Sequence, residues 1–277
     1  MNRACLSKNA RLHKSRRHGT SCLPADQTGI RQLKVNFFQM KKILPKNIKL
    51  RIRLFQRFIA DGMHRYRSNF AESKNHQIDF KYAINLAHEI KKTHLYLNKI
   101  ENIKLAGDKI SKIIINPGEI FSFWRVVGSP TKENGFKKGR NIISGELNED
   151  FGGGLCQLSS IIHHLAIIAG LKILERFNHT IDIYTNETRY TPLGTDATVV
   201  YGYKDLRIIN NLSFPINFSF EINEDLFVAN LKSTEQIIKK EIQFKHSESG
   251  NMIKVIALDQ NHEMINKSYY KKLNINQ

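Results

Sequence analysis

The sequence contains no apolar run long enough to cross a membrane. A spanning helix needs roughly 20 apolar residues in succession, and the richest stretch here, 161–174, is interrupted by two histidines and a lysine. The basic first residues are not followed by the apolar stretch of about 7–15 residues that a secretory signal requires. We therefore expect neither a transmembrane segment nor a secretory signal peptide.

Cysteine is scarce, and the three residues, Cys5, Cys22 and Cys156, lie far apart. An odd number without metal-type spacing predicts neither a disulfide framework nor a zinc site. Free thiols persist in a reducing compartment. These features favour a cytoplasmic location, and we expect no cofactor and no resident metal.

Acidic residues are few in the first 100 positions, which contain 22 Lys and Arg but 5 Asp and Glu, against 21 and 20 in the remainder. This asymmetry predicts an N-terminal part that meets an anionic surface, with a merely solvated segment as the alternative. No helix-turn-helix, zinc-finger or stacked-aromatic pattern accompanies the charge, so nucleic acid is not the expected partner. We therefore predict peripheral contact with the inner face of an anionic membrane.

The composition, with 41% hydrophobic and 25% charged residues, is that of a globular protein. Residues 1–45 are basic and contain the breakers Gly19, Pro24, Gly29 and Pro45, which predicts a poorly ordered arm. We divide the remainder into a helical segment at 46–112, an α+β core at 113–233 and a polar C-terminal extension at 234–277.

Three helices are predicted before the core. In the first, at 48–67, Ile48, Ile52, Phe55 and Ile59 share one face with basic residues beside them. Such a helix either lies on an anionic membrane or packs its apolar stripe on its own domain. Apolar spacing predicts a second helix at 79–98 and a third at 103–110.

The pattern changes to β after Gly170. A short strand at 113–115 precedes the glycine-rich region, and Asn, Gly and Asp separate the later runs. Helices followed by a mixed or antiparallel sheet indicate the α+β class. The later predicted strands are 181–184, 198–203, 206–209, 216–222, 226–231 and 253–257.

The most informative stretch is a glycine turn, Gly152 to Gly154, followed directly by a helix that carries Cys156 in its first turn. Free N–H groups and the macrodipole favour a thiolate at a helix N-terminus. We therefore predict a nucleophile, with Gly153, Gly154 and Gln157 forming the oxyanion and substrate pocket. The alternative is that Cys156 is a small buried packing residue.

A nucleophilic thiol needs a base and a group that orients it. His179 and Asp196 stand at the beginnings of two successive β-runs, in the chain order of papain-like and transglutaminase-like thiol enzymes, which is an analogy only. A metal site built from the same three residues stays open as an alternative. His163, from two turns along the helix, is a less favoured base.

Four further residues are candidates for substrate contact. Glu119 follows a Pro-Gly turn and is otherwise a solvated turn carboxylate. Trp124 belongs to an aromatic group that otherwise fills the core. Arg140 and Arg176 are candidates for binding a substrate carboxylate.

Two motifs resemble those of the VanW family, Pro-Gly-Glu-Ile-Phe-Ser-Phe-Trp at 117–124 and Gly-Gly-Gly-Leu-Cys-Gln-Leu-Ser at 152–159. The resemblance continues through His179, Asp196 and the Asp-Leu-Arg-Ile-Ile-Asn run at 205–210. It implies a link to glycopeptide resistance and the cell envelope. The resulting hypothesis is a thiol-dependent amide or acyl hydrolase or transferase acting on peptidoglycan precursors or stem peptides. The alternative is a non-catalytic accessory domain that recognises cell-wall precursors at the membrane.

Deletion of residues 1–45 tests the predicted arm. Because this segment lacks apolar periodicity, we expect the shortened chain to melt within a few degrees of the full chain, measured by circular dichroism. A large fall in melting temperature or solubility would show that the arm is part of the core.

Overall fold

The computed structural model describes residues 44–72, 78–92, 94–143, 146–182, 189, 191–223 and 226–272. Cys5, Cys22 and almost all of the predicted arm lie outside the described residues.

The described residues contain four α-helices and twelve strands. The helices are α1 (Lys46–Met63), α2 (Tyr96–Ser111), α3 (Phe123–Val127) and α4 (Leu155–Ile168). The strands are β1 (Tyr82–Glu89), β2 (Ile114–Ile115), β3 (Ile120–Ser122), β4 (Lys138–Ile143), β5 (Glu146–Phe151), β6 (Lys172–Glu175), β7 (Arg207–Ile209), β8 (Ile216–Asn223), β9 (Leu226–Ser233), β10 (Gln243–Ser249), β11 (Met252–Leu258) and β12 (Met264–Lys271).

The main core lies between a four-stranded antiparallel sheet, in the order β1-β9-β8-β2, and the helices α2 and α4. Helix α2 contributes Ile103 and Ile110, which lie about two turns apart on its buried face. Strand β8 contributes Phe218. Helix α4 is apolar around most of its circumference and is buried accordingly, with Leu158 fully inaccessible. This burial fixes the helix whose first turn carries Cys156.

Two three-stranded antiparallel sheets complete the frame of the site. One has the order β3-β7-β6, and the chain leaves β6 at Glu175 towards His179. The other, β10-β11-β12, is built from the C-terminal residues that looked polar in sequence. Strand β12 alternates, so that Ser268 and Tyr270 are buried while their neighbours are more exposed. The strands β4 and β5 form a separate hairpin.

The α+β class is confirmed, as are the strands predicted at 113–115, 206–209, 216–222, 226–231 and 253–257 within one or two residues. The helix predicted at 79–98 is wrong, because 82–89 form the edge strand β1, paired with β9. The short apolar run in this segment fits the periodicity of a helix and also that of a strand. Pairing with β9 selects the strand.

Two further runs differ from their predicted strands. Residues 198–203 form a turn closed by a bridge between Val200 and Lys204. Ile181 makes an isolated bridge to Lys271, and 183–184 lie outside the described residues.

Helix α1 turns its predicted apolar stripe towards solvent rather than towards the domain. The predicted apolar stripe, Ile48, Ile52, Phe55 and Ile59, is between 41% and 64% exposed. The face that packs on the domain instead carries Leu50, Leu54, Arg57 and the buried Asp61. Of the two alternatives given for this helix, packing of the stripe on its own domain is not what the structure shows.

A buried group of charges holds this helix. Arg207 binds Asp61 through both terminal nitrogens, at 2.5 and 3.1 Å, and its Nε donates to Asp205 at 3.1 Å. Arg57 makes a bidentate pair with Glu175, at 3.0 and 2.7 Å. Planar guanidinium groups suit such paired geometry, so these contacts set the rotation of α1 about its axis.

Asp205 is the centre of this group. Burial raises the pKa of its carboxyl, although Ser122, Arg207 and the Trp124 N–H act in the opposite direction. Ser122 Oγ donates to Asp205 Oδ2 at 2.6 Å and the Trp124 N–H donates to Oδ1 at 3.1 Å. The carboxylate thereby ties α3 to β7.

Within the described part of the chain, no helix has the length and apolarity that crossing a bilayer would require.

Replacement of Arg207 tests the importance of the buried charges. Arg207→Met leaves Asp61 and Asp205 without their principal cation, so we expect a loss of about 3–5 kcal/mol in the free energy of unfolding, measured with urea. The matched control is Lys137→Met, whose partner Glu101 lies 3.8 Å away in an exposed pair. The control should change stability by less than about 1 kcal/mol. Equal effects of the two variants would contradict this role.

Candidate functional site

The turn before α4 accepts only glycine at its key positions. Gly152 and Gly154 have φ values of 86° and 98°, a region that other L-residues seldom adopt. A Cβ on Gly152 would stand 2.8 Å from a Pro130 side-chain carbon, and one on Gly154 would stand 2.8 Å from Lys99. The tight turn ends at Gly154, where α4 begins, and it places Cys156 in the first turn of that helix.

The backbone N–H of Cys156 has no acceptor among the described residues. Its neighbours are paired, since the Leu155 N–H donates to the Gly152 carbonyl at 3.2 Å and the Gln157 N–H donates to the Gly154 carbonyl at 3.0 Å. Among the backbone hydrogen bonds of the described residues, none uses the N–H of Cys156. A free N–H at the positive end of a helix stabilises an anion beside it.

The thiol of Cys156 is half-buried and has polar neighbours. Its Sγ lies 3.7 Å from Thr198 Oγ1 and 3.8 Å from the Val199 carbonyl oxygen. The side chain of His179 is also near enough to lower the pKa of this thiol. The segment 195–199, which runs beside the first turns of α4, therefore forms one wall around the sulfur.

His179 connects the thiol to Asp196. Its Nδ1 and its backbone N–H both lie 2.7 Å from Asp196 Oδ2, which accepts from each. Because Nδ1 is occupied by the carboxylate, Nε2 is the ring nitrogen left to exchange a proton with Cys156. The structure thus brings together the three residues singled out as nucleophile, base and orienting group.

The charges of the three groups support one another. Burial alone would lower the pKa of His179, but its interactions with Asp196 and Cys156 outweigh burial and raise this pKa to about 10. Burial would likewise raise the pKa of Cys156, yet the neighbouring His179 brings it below its ordinary value. The two groups therefore shift each other towards the thiolate and imidazolium forms.

Asp196 receives two more donors on its other oxygen. Arg176 Nη2 donates to Oδ1 at 3.0 Å, and the Tyr270 hydroxyl donates to the same atom. Burial opposes ionisation of Asp196, but His179 and Arg176 hold the pKa of this carboxyl far below its usual range. With four donors on one carboxylate, Asp196 stays ionised and fixed in direction.

Sequence reasoning missed the contribution of the C-terminal sheet. Strand β12 supplies Tyr270 to Asp196 and Ser268 to Arg176, whose Nη1 lies 2.6 Å from the serine oxygen. The spacing of these two residues, two apart on one face of a strand, was the only local signal. Arg176, a candidate for binding a substrate carboxylate, is instead engaged with Asp196 and Gly194, and its side chain is 5% exposed. The Arg140 side chain lies outside the described residues.

His163 has a structural position behind the site. Its Nδ1 lies 2.6 Å from the Thr195 carbonyl, which can only accept, so Nδ1 carries the proton. Burial, followed by the charge of Arg176, lowers its pKa to about 3, and the ring is neutral. Within the described residues its Nε2 has no hydrogen-bond partner. His163 thus holds the segment that leads to Asp196 and is not directed at Cys156.

The other pocket candidates differ in position. Gln157 is buried and paired with His88, and the Gly153 carbonyl accepts from Asn102 Nδ2 at 3.0 Å. Both residues line the beginning of α4 beside Cys156, as does Gly154.

Neither Glu119 nor Trp124 is among the described hydrogen-bond partners of the thiol. Glu119 accepts from the Asn116 N–H at 2.8 Å and directly precedes β3. This is one end of the sheet β3-β7-β6, and the chain leaves β6 towards His179 at the other end. Trp124 is 8% exposed and donates from Nε1 to the Lys204 carbonyl at 2.8 Å, in a core position.

A metal centre formed by Cys156, His179 and Asp196 was left open above. The described residues include no cluster of three or more His, Cys, Asp or Glu side chains arranged to hold a metal ion. The Asp196 oxygens are instead filled by hydrogen-bond donors.

Comparison with known proteins places the site inside a recognised region. Residues 98–231 match the family model described as "VanW like protein". All three residues of the Cys-His-Asp group lie in this region, whereas Ser268 and Tyr270 lie beyond it. No solved structure matches the chain at a significant level.

Two curated relatives are similar to part of the chain. One is the uncharacterized protein YoaR of Bacillus subtilis, 40% identical over 119 residues, which are 43% of this chain and 38% of that protein. The other is the vancomycin B-type resistance protein VanW of Enterococcus faecalis, 29% identical over 139 residues, 50% of each chain. The chain therefore spans half or less of the length of these relatives.

Alkylation of Cys156 across pH 5–9 tests the charge pair. We expect half-maximal reaction with iodoacetamide well below the ordinary thiol value of about 8.5, read by peptide mass spectrometry. Cys5 and Cys22 serve as reference thiols in the same sample. His179→Ala removes the cation, and we expect it to move the Cys156 midpoint upward by about one pH unit or more.

The matched control is His246→Ala, which removes an exposed histidine on β10. It should leave the Cys156 midpoint unchanged. A Cys156 thiol that reacts only after unfolding would be a packing residue.

Proposed function

We propose that the region that matches the VanW family model, residues 98–231, is a thiol-dependent enzyme that hydrolyses or transfers an acyl group. The observation that supports the proposal is the position of His179, which hydrogen-bonds to Asp196 through Nδ1 and is near enough to Cys156, in the first turn of α4, to lower the pKa of its thiol. Nucleophile, base and orienting carboxylate in this connection are the elements of covalent acyl transfer.

In the first step the Cys156 thiolate attacks a carbonyl carbon of an amide or ester. A carbon–sulfur bond forms and the carbonyl electrons move to oxygen, where the free N–H of Cys156 stabilises the negative charge. The intermediate then collapses with cleavage of the bond to the leaving group, and His179 Nε2 gives its proton to that group. The product of this step is a thioester on Cys156.

In the second step the acyl group leaves Cys156. His179, now neutral, takes a proton from water or from an acceptor amine, which attacks the thioester carbonyl. The carbon–sulfur bond then breaks and Cys156 leaves as the thiolate. Asp196 stabilises the imidazolium that forms again, because its Oδ2 accepts the Nδ1 proton throughout. Water gives hydrolysis, and an amine gives transfer.

The substrate class follows from the relatives rather than from the site. One relative is named as a vancomycin B-type resistance protein, and we propose peptidoglycan precursors or stem peptides as substrates and a link to glycopeptide resistance. A free, ionised thiol is maintained in a reducing compartment. This supports a cytoplasmic location, at the inner face of the membrane where such precursors are available.

Trapping of an acyl-enzyme tests the reaction. The full chain is mixed with an activated peptide ester and, separately, with a stem pentapeptide ending in D-Ala-D-Ala, and intact mass is recorded with time. We expect an adduct on Cys156, or cleavage or transfer of the pentapeptide. Cys156→Ala should abolish both, with turnover falling about a thousandfold or more.

The control is the double variant Cys5→Ser, Cys22→Ser, which should react like the unmodified chain. Tight pentapeptide binding that is equal in the unmodified chain and in Cys156→Ala, without adduct or turnover, would favour the non-catalytic accessory domain. Reaction of the ester alone would support the chemistry and reject the proposed substrate.

A further inference from the structure

Helix α1 directs a continuous apolar stripe away from its domain. Ile52, Phe55, Ile59 and Met63 recur at helical spacing on one face, and each is between 41% and 79% exposed. A soluble protein seldom leaves a contiguous apolar patch uncovered unless something binds it. The stripe therefore requires an occupant.

The orientation of the stripe is imposed by the opposite face. Asp61 is buried against Arg207, and Arg57 is bound in bidentate geometry to Glu175. Leu50 and Leu54 lie over Gly202, where a Cβ would come within 2.4 Å of Leu50. Turning the stripe inward would break these ion pairs and leave buried charges unpaired, which is costly.

The charges around the stripe are all positive. Arg51 and Arg53 are exposed and lie on either side of it, given the 100° step of an α-helix. The helix contains a single acidic residue, Asp61, and that residue is covered by Arg207. The outward surface of 51–63 thus combines apolar and cationic groups without a negative charge.

We propose that this surface of α1 lies flat on an anionic lipid bilayer. The stripe enters the boundary between headgroups and acyl chains, and Arg51 and Arg53 contact lipid phosphates. The complementarity of charge selects anionic lipid over a second copy of this chain, since two such surfaces would repel each other. This inference does not depend on the proposed reaction.

Fluorescence quenching reports whether the stripe enters lipid. The only tryptophan, Trp124, is buried and should not be quenched by brominated phospholipid. In the full chain, Phe55→Trp adds a reporter on the stripe. We expect its emission to be quenched by brominated vesicles that contain phosphatidylglycerol, and far less by vesicles of phosphatidylcholine alone.

The matched reporter is Ile238→Trp, at a position 85% exposed and outside α1. It should not be quenched. Vesicle binding without quenching of Phe55→Trp would mean that other basic residues hold the lipid, and it would overturn the proposal.

Sedimentation with the same anionic vesicles measures the contribution of the stripe. Ile52→Asn should weaken binding about tenfold, as expected for loss of one buried aliphatic side chain, and high salt should weaken it further. Ile238→Asn, the matched control, should bind like the unmodified chain. If light scattering shows a dimer that Ile52→Asn converts to a monomer, the stripe is a contact between copies and the lipid proposal fails.

Discussion

The arrangement of the site depends on one carboxylate, that of Asp196. It accepts from the ring and backbone of His179 on one oxygen and from Arg176 and Tyr270 on the other. These donors come from the segment after β6 and from the last strand of the chain. A carboxylate saturated in this way remains charged, and its charge keeps the imidazole oriented and protonated beside Cys156.

The buried charges that hold α1 and the charges around Asp196 are connected through two consecutive residues, Glu175 at the end of β6 and Arg176 after it. Glu175 faces α1 and binds Arg57, whereas Arg176 faces the site and binds Asp196. Successive residues of an extended chain point to opposite sides, so one short strand anchors both. The attachment of α1 and the orientation of the site therefore both depend on the same sheet, β3-β7-β6.

Much of the frame could be predicted from local pattern. The glycine turn and the helix after it, the strands β7, β8, β9 and β11, and the α+β class follow from turn chemistry and apolar periodicity. The edge strand β1 could not be predicted, because its apolar spacing also suits a helix. Its pairing with β9 in the tertiary structure selects the strand. The strands around Ser268 and Tyr270 look polar in sequence, since half of their residues face solvent.

Local patterns in the sequence are sufficient to place Cys156 in the first turn of a helix after a glycine turn, with a histidine and an aspartate following in order. They are also sufficient to give α1 an apolar face flanked by basic residues. Tertiary contacts are needed to bring His179 to the thiol and Asp196 to His179, to hold Asp196 with Arg176 and Tyr270, and to turn the apolar face of α1 outward. Local backbone preferences act over a few residues, whereas these outcomes depend on pairings between residues 17 to 146 positions apart.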